Sequence, residues 1–283
     1  MNRLVITDST ADIPPETAKE HGIEVLPVNV VLDGKTYRDG VDINPADFYE
    51  NYDTYKTMHT EAIPYQDYAL KYMRLTQDYD EILIIHCSSE LSDNYKTACK
   101  VRDEFQKHQC KVEIIDSRSC SMGFGLTVVE AAKAFKVGMD LNRVVKEVNY
   151  ALQQTVSYLT IPTLKYLRKR KKIGGFKSLL GLTLGAKPVL GFVDGRLEVK
   201  TKLFGKQPNM ILSMLDIIKS DIGKSPIKLA IVHGRDTSTV KSLKEVFEYN
   251  FICREIHQAY FGPSITINAG PEAIGVMFSK QAN

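Results

Sequence analysis

The segment Arg3-Leu-Val-Ile-Thr-Asp-Ser-Thr-Ala-Asp-Ile-Pro-Pro15 decides how this chain is read. Leu4, Val5 and Ile6 form an unbroken apolar run, the pattern of a strand buried on both faces. A polar turn follows, and Pro14 and Pro15 then open a helix, where a missing N–H costs nothing. Ile82-Leu-Ile-Ile85 and Val112-Glu-Ile-Ile115 repeat the arrangement. Helical periodicity over about 14–21, 91–107 and 121–135 follows each strand, which predicts parallel βαβ units. Asp8, Ser88 and Asp116 then sit at the carboxyl ends of the strands, where open α/β sheets bind ligands.

The second half has a different rhythm. A helix is predicted near 142–155, then a strand at Tyr158-Leu-Thr-Ile161 and a basic helix over about 162–172. Lys187-Pro-Val-Leu-Gly-Phe-Val-Asp-Gly-Arg-Leu-Glu-Val-Lys200 reads as a hairpin, because Asp-Gly between alternating segments favours a tight two-residue turn. Helices near 208–219 and 236–247 flank a strand at Ile227–Val232, and Ile274-Gly-Val-Met-Phe278 forms a last strand. The expected fold is therefore α/β: an N-terminal parallel βαβ domain over 1–156 and a C-terminal α+β domain with a hairpin over 157–283.

At 283 residues, 43% hydrophobic and 25% charged, the chain can bury a large core without disulfides or metal. A net charge of +3 is too small to argue for nucleic acid. The five cysteines are odd in number and include no C-x-x-C pair, so neither a disulfide framework nor a zinc site is expected. The six histidines show no metal-ligand spacing, and no cofactor is expected. The chain starts on a strand with no leader pattern and has no bilayer-length apolar run, so the expected location is cytoplasmic. This leaves room only for transient membrane contact.

Hydroxyls cluster where ligands would bind. Ser9 and Thr10 follow the first strand and could hold an anion, or could simply cap the turn. Ser88, Ser89 and Ser92 line the entrance to the next helix, with the same two readings. His59, beside Thr60 in a polar loop, is the best functional candidate among the histidines. Five consecutive cations, Arg168 to Lys172, form either a solvated helix end or a patch facing phosphate or a partner. No P-loop, dinucleotide fingerprint or nucleophile elbow is present, which weighs against catalysis.

Taken in order, several segments resemble the DegV family of fatty-acid-binding proteins over about residues 3–280. They are Ile6-Thr-Asp-Ser-Thr-Ala-Asp-Ile-Pro14, Leu32-Asp-Gly-Lys-Thr-Tyr-Arg-Asp-Gly-Val-Asp42, Ser88-Ser-Glu-Leu-Ser92, Ile115-Asp-Ser-Arg-Ser-Cys-Ser-Met-Gly123, Ala186-Lys-Pro-Val189 and Ala269-Gly-Pro271. The resemblance implies a two-domain architecture with a long-chain fatty acid, such as palmitate, buried between the domains. The protein would be a carrier and not a catalyst. Alternatives are the substrate-binding subunit of a two-component fatty-acid kinase or, further off, a small-metabolite kinase subunit. The family's carboxylate-binding threonine falls on Thr60, with Thr57 as the alternative, and its serine on Ser92. The family's His-x-Gly-Pro-Gly becomes Asn268-Ala-Gly-Pro-Glu272, so Asn268 stands where a histidine would. Ser9 joins these as an expected ligand contact. Lys172 replaces a phosphate-facing arginine with Arg170 beside it, and Phe204 replaces a second arginine. These changes predict weak coupling to a kinase partner.

Overall fold

A computed structural model describes residues 1–105, 110–161, 187–203, 207–235 and 238–281. The first sheet contains β1 (Arg3–Asp8), β2 (Ile23–Leu26), β6 (Glu81–His86) and β7 (Lys111–Asp116), in the order β2-β1-β6-β7. All its pairings are parallel, with Val5 opposite Ile23 on one side and Leu83 on the other. Every residue of β6 is buried, as expected for a central strand covered on both faces. Helices α1 (Pro15–His21), α3 (Tyr65–Asp78) and α4 (Asn94–Phe105) follow β1, precede β6 and precede β7, respectively.

A second sheet has the order β10-β9-β8-β13-β11-β12. It contains β8 (Thr155–Thr160), β9 (Lys187–Val193), β10 (Arg196–Leu203), β11 (Ile227–His233), β12 (Cys253–Tyr260) and β13 (Ile274–Lys280). Only β11 and β12 pair parallel, so this sheet is mixed. The expected hairpin is present: Asp194 and Gly195 adopt φ of 49° and 80°, the left-handed pair that a tight primed turn requires. Helices α7 (Gln207–Ile222) and α8 (Ser238–Asn250) belong to this half. The predicted basic helix over 162–172 lies outside the described residues.

Two helices join the halves. α5 (Met122–Lys136) packs against β1 of the first sheet and against β8, β11 and β13 of the second. α6 (Leu141–Gln154), capped by the Asp140 carboxylate on the Arg143 N–H, runs directly into β8. A third, antiparallel sheet of β3 (Asn29–Leu32), β4 (Lys35–Arg38) and β5 (Met58–Glu61) has the order β4-β3-β5. The short helix α9 (Pro263–Ala269) packs against it: Ile267 enters the cluster formed by Val30, Phe48 and Tyr52. The helix α2 (Pro45–Asn51) supplies Phe48. Among the described residues, no helix is long and apolar enough to cross a membrane.

Candidate functional site

A cavity of about 350 Å³ lies where the carboxyl ends of β1 and β6 meet β5, α9 and the second sheet. Thr10, Thr60 and Ser92 line it from the N-terminal half, Asn268 and Ser264 from α9. Leu91, Leu159, Leu197 and Ile265 form apolar wall. A volume of this size with few polar groups is typical of a small-molecule site.

Each polar side chain has a local reason for its place. Thr60 is on β5, opposite Val30, where the pleat turns it towards the cavity and its neighbour His59 away. Ser92 lies in the loop that ends in α4, and its hydroxyl accepts from the Asn94 N–H at 3.3 Å. Asn268 is one turn along α9 from Ser264 and donates to the Ser264 carbonyl at 2.7 Å.

Other predicted residues are spent elsewhere. Ser9 donates to Asp39 Oδ2 and accepts from the Val28 N–H, both at 3.1 Å, and does not line the cavity. The Thr57 hydroxyl and N–H both reach Asp33. His59 faces Glu61 on the exposed side of β5. Ser88 donates to the Gly195 carbonyl and Ser89 to Asp116, each at 2.6 Å, so of these three loop serines only Ser92 faces the cavity. Arg170, Lys172 and Phe204 lie outside the described residues.

The sequence leaves Thr10 between anion binding and capping and does not single out the lining cysteines Cys87 and Cys120. Burial pushes the Cys87 thiol well up and the Cys120 thiol up to about 12, so both present neutral, weakly polar surface. The signal that could have found them is position, since each follows the end of a strand or its turn.

Beneath Thr10 lies a closed polar network. His86 Nδ1 is 2.6 Å from Asp8 Oδ2, and the Tyr68 hydroxyl is 2.8 Å from His86 Nε2. Asp8 and His86 are fully buried. Burial alone would raise the Asp8 pKa, but His86, Thr10 and Asn94 together hold it below the usual carboxylate value. The buried Asp8 carboxylate is hydrogen-bonded on both oxygens, the arrangement that makes burial tolerable.

Two further carboxylates tie α9 to the N-terminal half. Asp12 accepts from the Gly262 N–H at 2.8 Å and from the Ser121 hydroxyl at 2.5 Å. Asp39 accepts from the Ser264 N–H at 3.4 Å. Burial raises Asp12 well above its usual value, and raises Asp39 from 3.8 to about 6, partly offset by Ser264 and Ser9. An acid whose pKa is raised on folding stabilises the fold when protonated. Its contribution is complete below the unfolded value and is lost as pH rises through the folded one. For Asp39 that window runs from about pH 4 to 6 and corresponds to roughly 2–3 kcal/mol. Urea unfolding of the unmodified protein should therefore lose more stability between pH 4 and 7 than Asp39→Asn does. Equal slopes would remove Asp39 as a source of the pH dependence.

Comparison with known proteins adds a family to this geometry. The DegV family model, described as an uncharacterised protein family, matches residues 3–281. A DegV domain-containing protein of Caldanaerobacter subterraneus subsp. tengcongensis is 28% identical over 278 residues, spanning 98% of each chain. A solved DegV family protein from Thermus thermophilus, described for its fatty acid binding, superposes with a TM-score of 0.91 at 26% identity, covering 99% of this chain and 100% of that one. DegV from Bacillus subtilis, described as a fatty acid binding protein, gives 0.88 at 25% identity, covering 99% and 100%.

Proposed function

Since the chain belongs to the DegV family, matched from residue 3 to 281, we propose that it is a binding protein that holds a long-chain fatty acid in the cavity between its halves. One observation carries the reading. Thr60, Ser92 and Asn268 come from separate elements across the chain and converge on one cavity whose remaining wall is largely apolar. Its similarity to two proteins described as binding fatty acids supports the same ligand class.

The division of labour follows from magnitudes. Each buried methylene contributes about 0.8 kcal/mol, so a chain of about 15 gives on the order of 12 kcal/mol before ordering costs. Each head-group hydrogen bond contributes about 0.5–1.5 kcal/mol net. The apolar wall would set affinity, and Thr60, Ser92 and Asn268 would set which end of the ligand enters where. The kinase-subunit reading would rest on Arg170 and Lys172, which lie outside the described residues.

Denaturing extraction of purified protein, followed by lipid mass spectrometry, is expected to recover fatty acid in near-stoichiometric amount. Recovery of none, with no uptake of added palmitate or oleate, rejects the proposal. Thr60→Ala combined with Ser92→Ala is expected to weaken binding by roughly 1–3 kcal/mol, or about ten- to a hundredfold. Unchanged affinity in a folded double variant would move the head-group site elsewhere.

A further inference from the structure

Thr10 meets the cavity with its proton already committed. A hydroxyl has one proton to donate and two lone pairs to offer. The Thr10 Oγ1–H donates to Asp8 Oδ1, and the Thr10 N–H donates to the same oxygen at 3.0 Å. Asp8 Oδ1 accepts both bonds while its Oδ2 faces His86 Nδ1, so the geometry leaves Asp8 no proton to return. What Thr10 Oγ1 can offer a ligand is therefore a lone pair. The whole relay, from Tyr68 through His86 and Asp8, holds Thr10 as an acceptor.

The opposite side of the head-group region offers donors. Ser92 Oγ accepts from the Asn94 N–H, which leaves its own proton to give. Asn268 Nδ2 uses one N–H on the Ser264 carbonyl and keeps the second. Thr10, Cys87 and Ser92 line the same cavity.

No lysine, arginine or histidine lines the cavity among the described residues. Glu61 pairs with His59 on the outer side of β5, and Lys96 lies 3.6 Å from Asp93 at the surface. Asp39 and Asp12 sit behind the start of α9. A carboxylate would meet a lone pair at Thr10 and no cation among the described residues.

We propose that the site takes the fatty acid as the neutral, protonated acid, its O–H donated to Thr10 Oγ1 and its C=O accepting from Ser92. The inference rests on the acyl-binding reading above and adds the protonation state of the ligand. A neutral carboxyl has one donor and one acceptor, the complement of Thr10 and Ser92. Binding then takes up one proton, and by linkage the affinity falls about tenfold per pH unit above the pKa of the free acid, until the bound acid itself ionises.

The test uses delipidated, unmodified protein and three probes: tetradecanoic acid, tetradecanamide and methyl tetradecanoate. Affinities are measured at pH 6, 7 and 8 at constant ionic strength. The acid should lose about tenfold per pH unit. The amide, which keeps a donor and an acceptor at every pH, should bind with constant affinity and at least tenfold more tightly than the ester, which has no donor. Flat binding of the acid overturns the proposal and leaves acyl binding standing. A parallel fall for acid and amide also overturns it, because the titrating group would then belong to the protein: Glu61, Asp93, Asp39, Asp12 or His59. An amide no tighter than the ester removes Thr10 as the acceptor. If none of the three binds, the acyl-binding reading falls and this one with it. Thr10→Val should bring amide and ester together while Thr10→Ser keeps them apart. If Thr10→Val does not fold, the ligand series on the unmodified protein decides alone.

Discussion

Replacing His86 with leucine is expected to cost about 3–5 kcal/mol of stability at neutral pH, because it leaves the Asp8 carboxylate buried without its partner. The two groups are 2.6 Å apart and fully buried, so solvent cannot screen the loss. Thr10, which also bonds Asp8, is neutral and cannot replace a charge. The sign with pH follows from the direction of the Asp8 shift. A carboxylate held below its usual pKa contributes stability that is present above about pH 4 and is lost as pH falls further. The gap between unmodified protein and His86→Leu should therefore narrow on acidification. Equilibrium unfolding in urea from about pH 2.5 to 7.5 reads both effects. Asp8→Asn combined with His86→Leu should recover part of the loss, because it removes the stranded charge. A cost below about 1 kcal/mol for His86→Leu, or a gap independent of pH, would show that the pair is not the ionised clamp described here.

Much of the fold was legible because burial writes itself into local pattern. The runs at Leu4–Ile6 and Ile82–Ile85 are strands covered on both faces, and Ile227–Val232 is interrupted only by Lys228. The Asp194-Gly195 turn was legible for a stereochemical reason, since two left-handed residues in succession favour that dipeptide. What failed to show was structure made by tertiary contact. β4 exposes Lys35, Thr36 and Arg38, and edge strand β12 alternates charged residues such as Arg254 with half-buried ones, so neither carries an apolar signature. Ile265, Thr266 and Ile267 favour a strand by propensity, yet they form α9 because Pro263 starts the helix and Ile267 is buried against the small sheet.

The site divides the same way. Thr60, Ser92 and Asn268 were reached through family motifs, and the cavity they share depends on pairings that single positions do not announce. The sequence reading assigns the ligand contact to Ser9 and not to the adjacent Thr10. The chain separates them: Ser9 faces Asp39, and Thr10 faces Asp8 and the cavity. The role of Thr10 depends on His86, 78 residues from Asp8, and no local rule links the two.

Gly234→Ala is expected to be comparably damaging, through backbone and not charge. A β-carbon at this position would lie 1.9 Å from the Pro271 carbonyl oxygen and 2.7 Å from its carbon. The obstacle is main chain, so no side-chain rotation can relieve it. The same carbonyl accepts from the Arg235 N–H at 2.8 Å, and the Gly234 N–H donates to the Ala273 carbonyl at 3.0 Å. Relief requires the end of β11 and the loop after α9 to separate, which breaks one or both bonds. Overpacking at about 1–3 kcal/mol and lost hydrogen bonds at about 1 kcal/mol each give roughly 2–5 kcal/mol in total. The consequence should reach the cavity, because Asn268 is three residues before Pro271 and Arg235 ties this loop to the N-terminal half through Asp53 at 2.8 Å. Chemical denaturation should show the stability loss. Titration with tetradecanamide, at a temperature where the variant remains folded, should show at least a tenfold drop in affinity. A folded variant with normal stability would mean that the Pro271 loop yields without cost. Normal stability with lost binding would mean that the loop yields by moving α9, and with it Asn268, away from the cavity. Stability lost with affinity kept would mean that α9 is held by Asp12, Asp39 and Tyr49 alone, the three N-terminal side chains that already grip its first turn and middle.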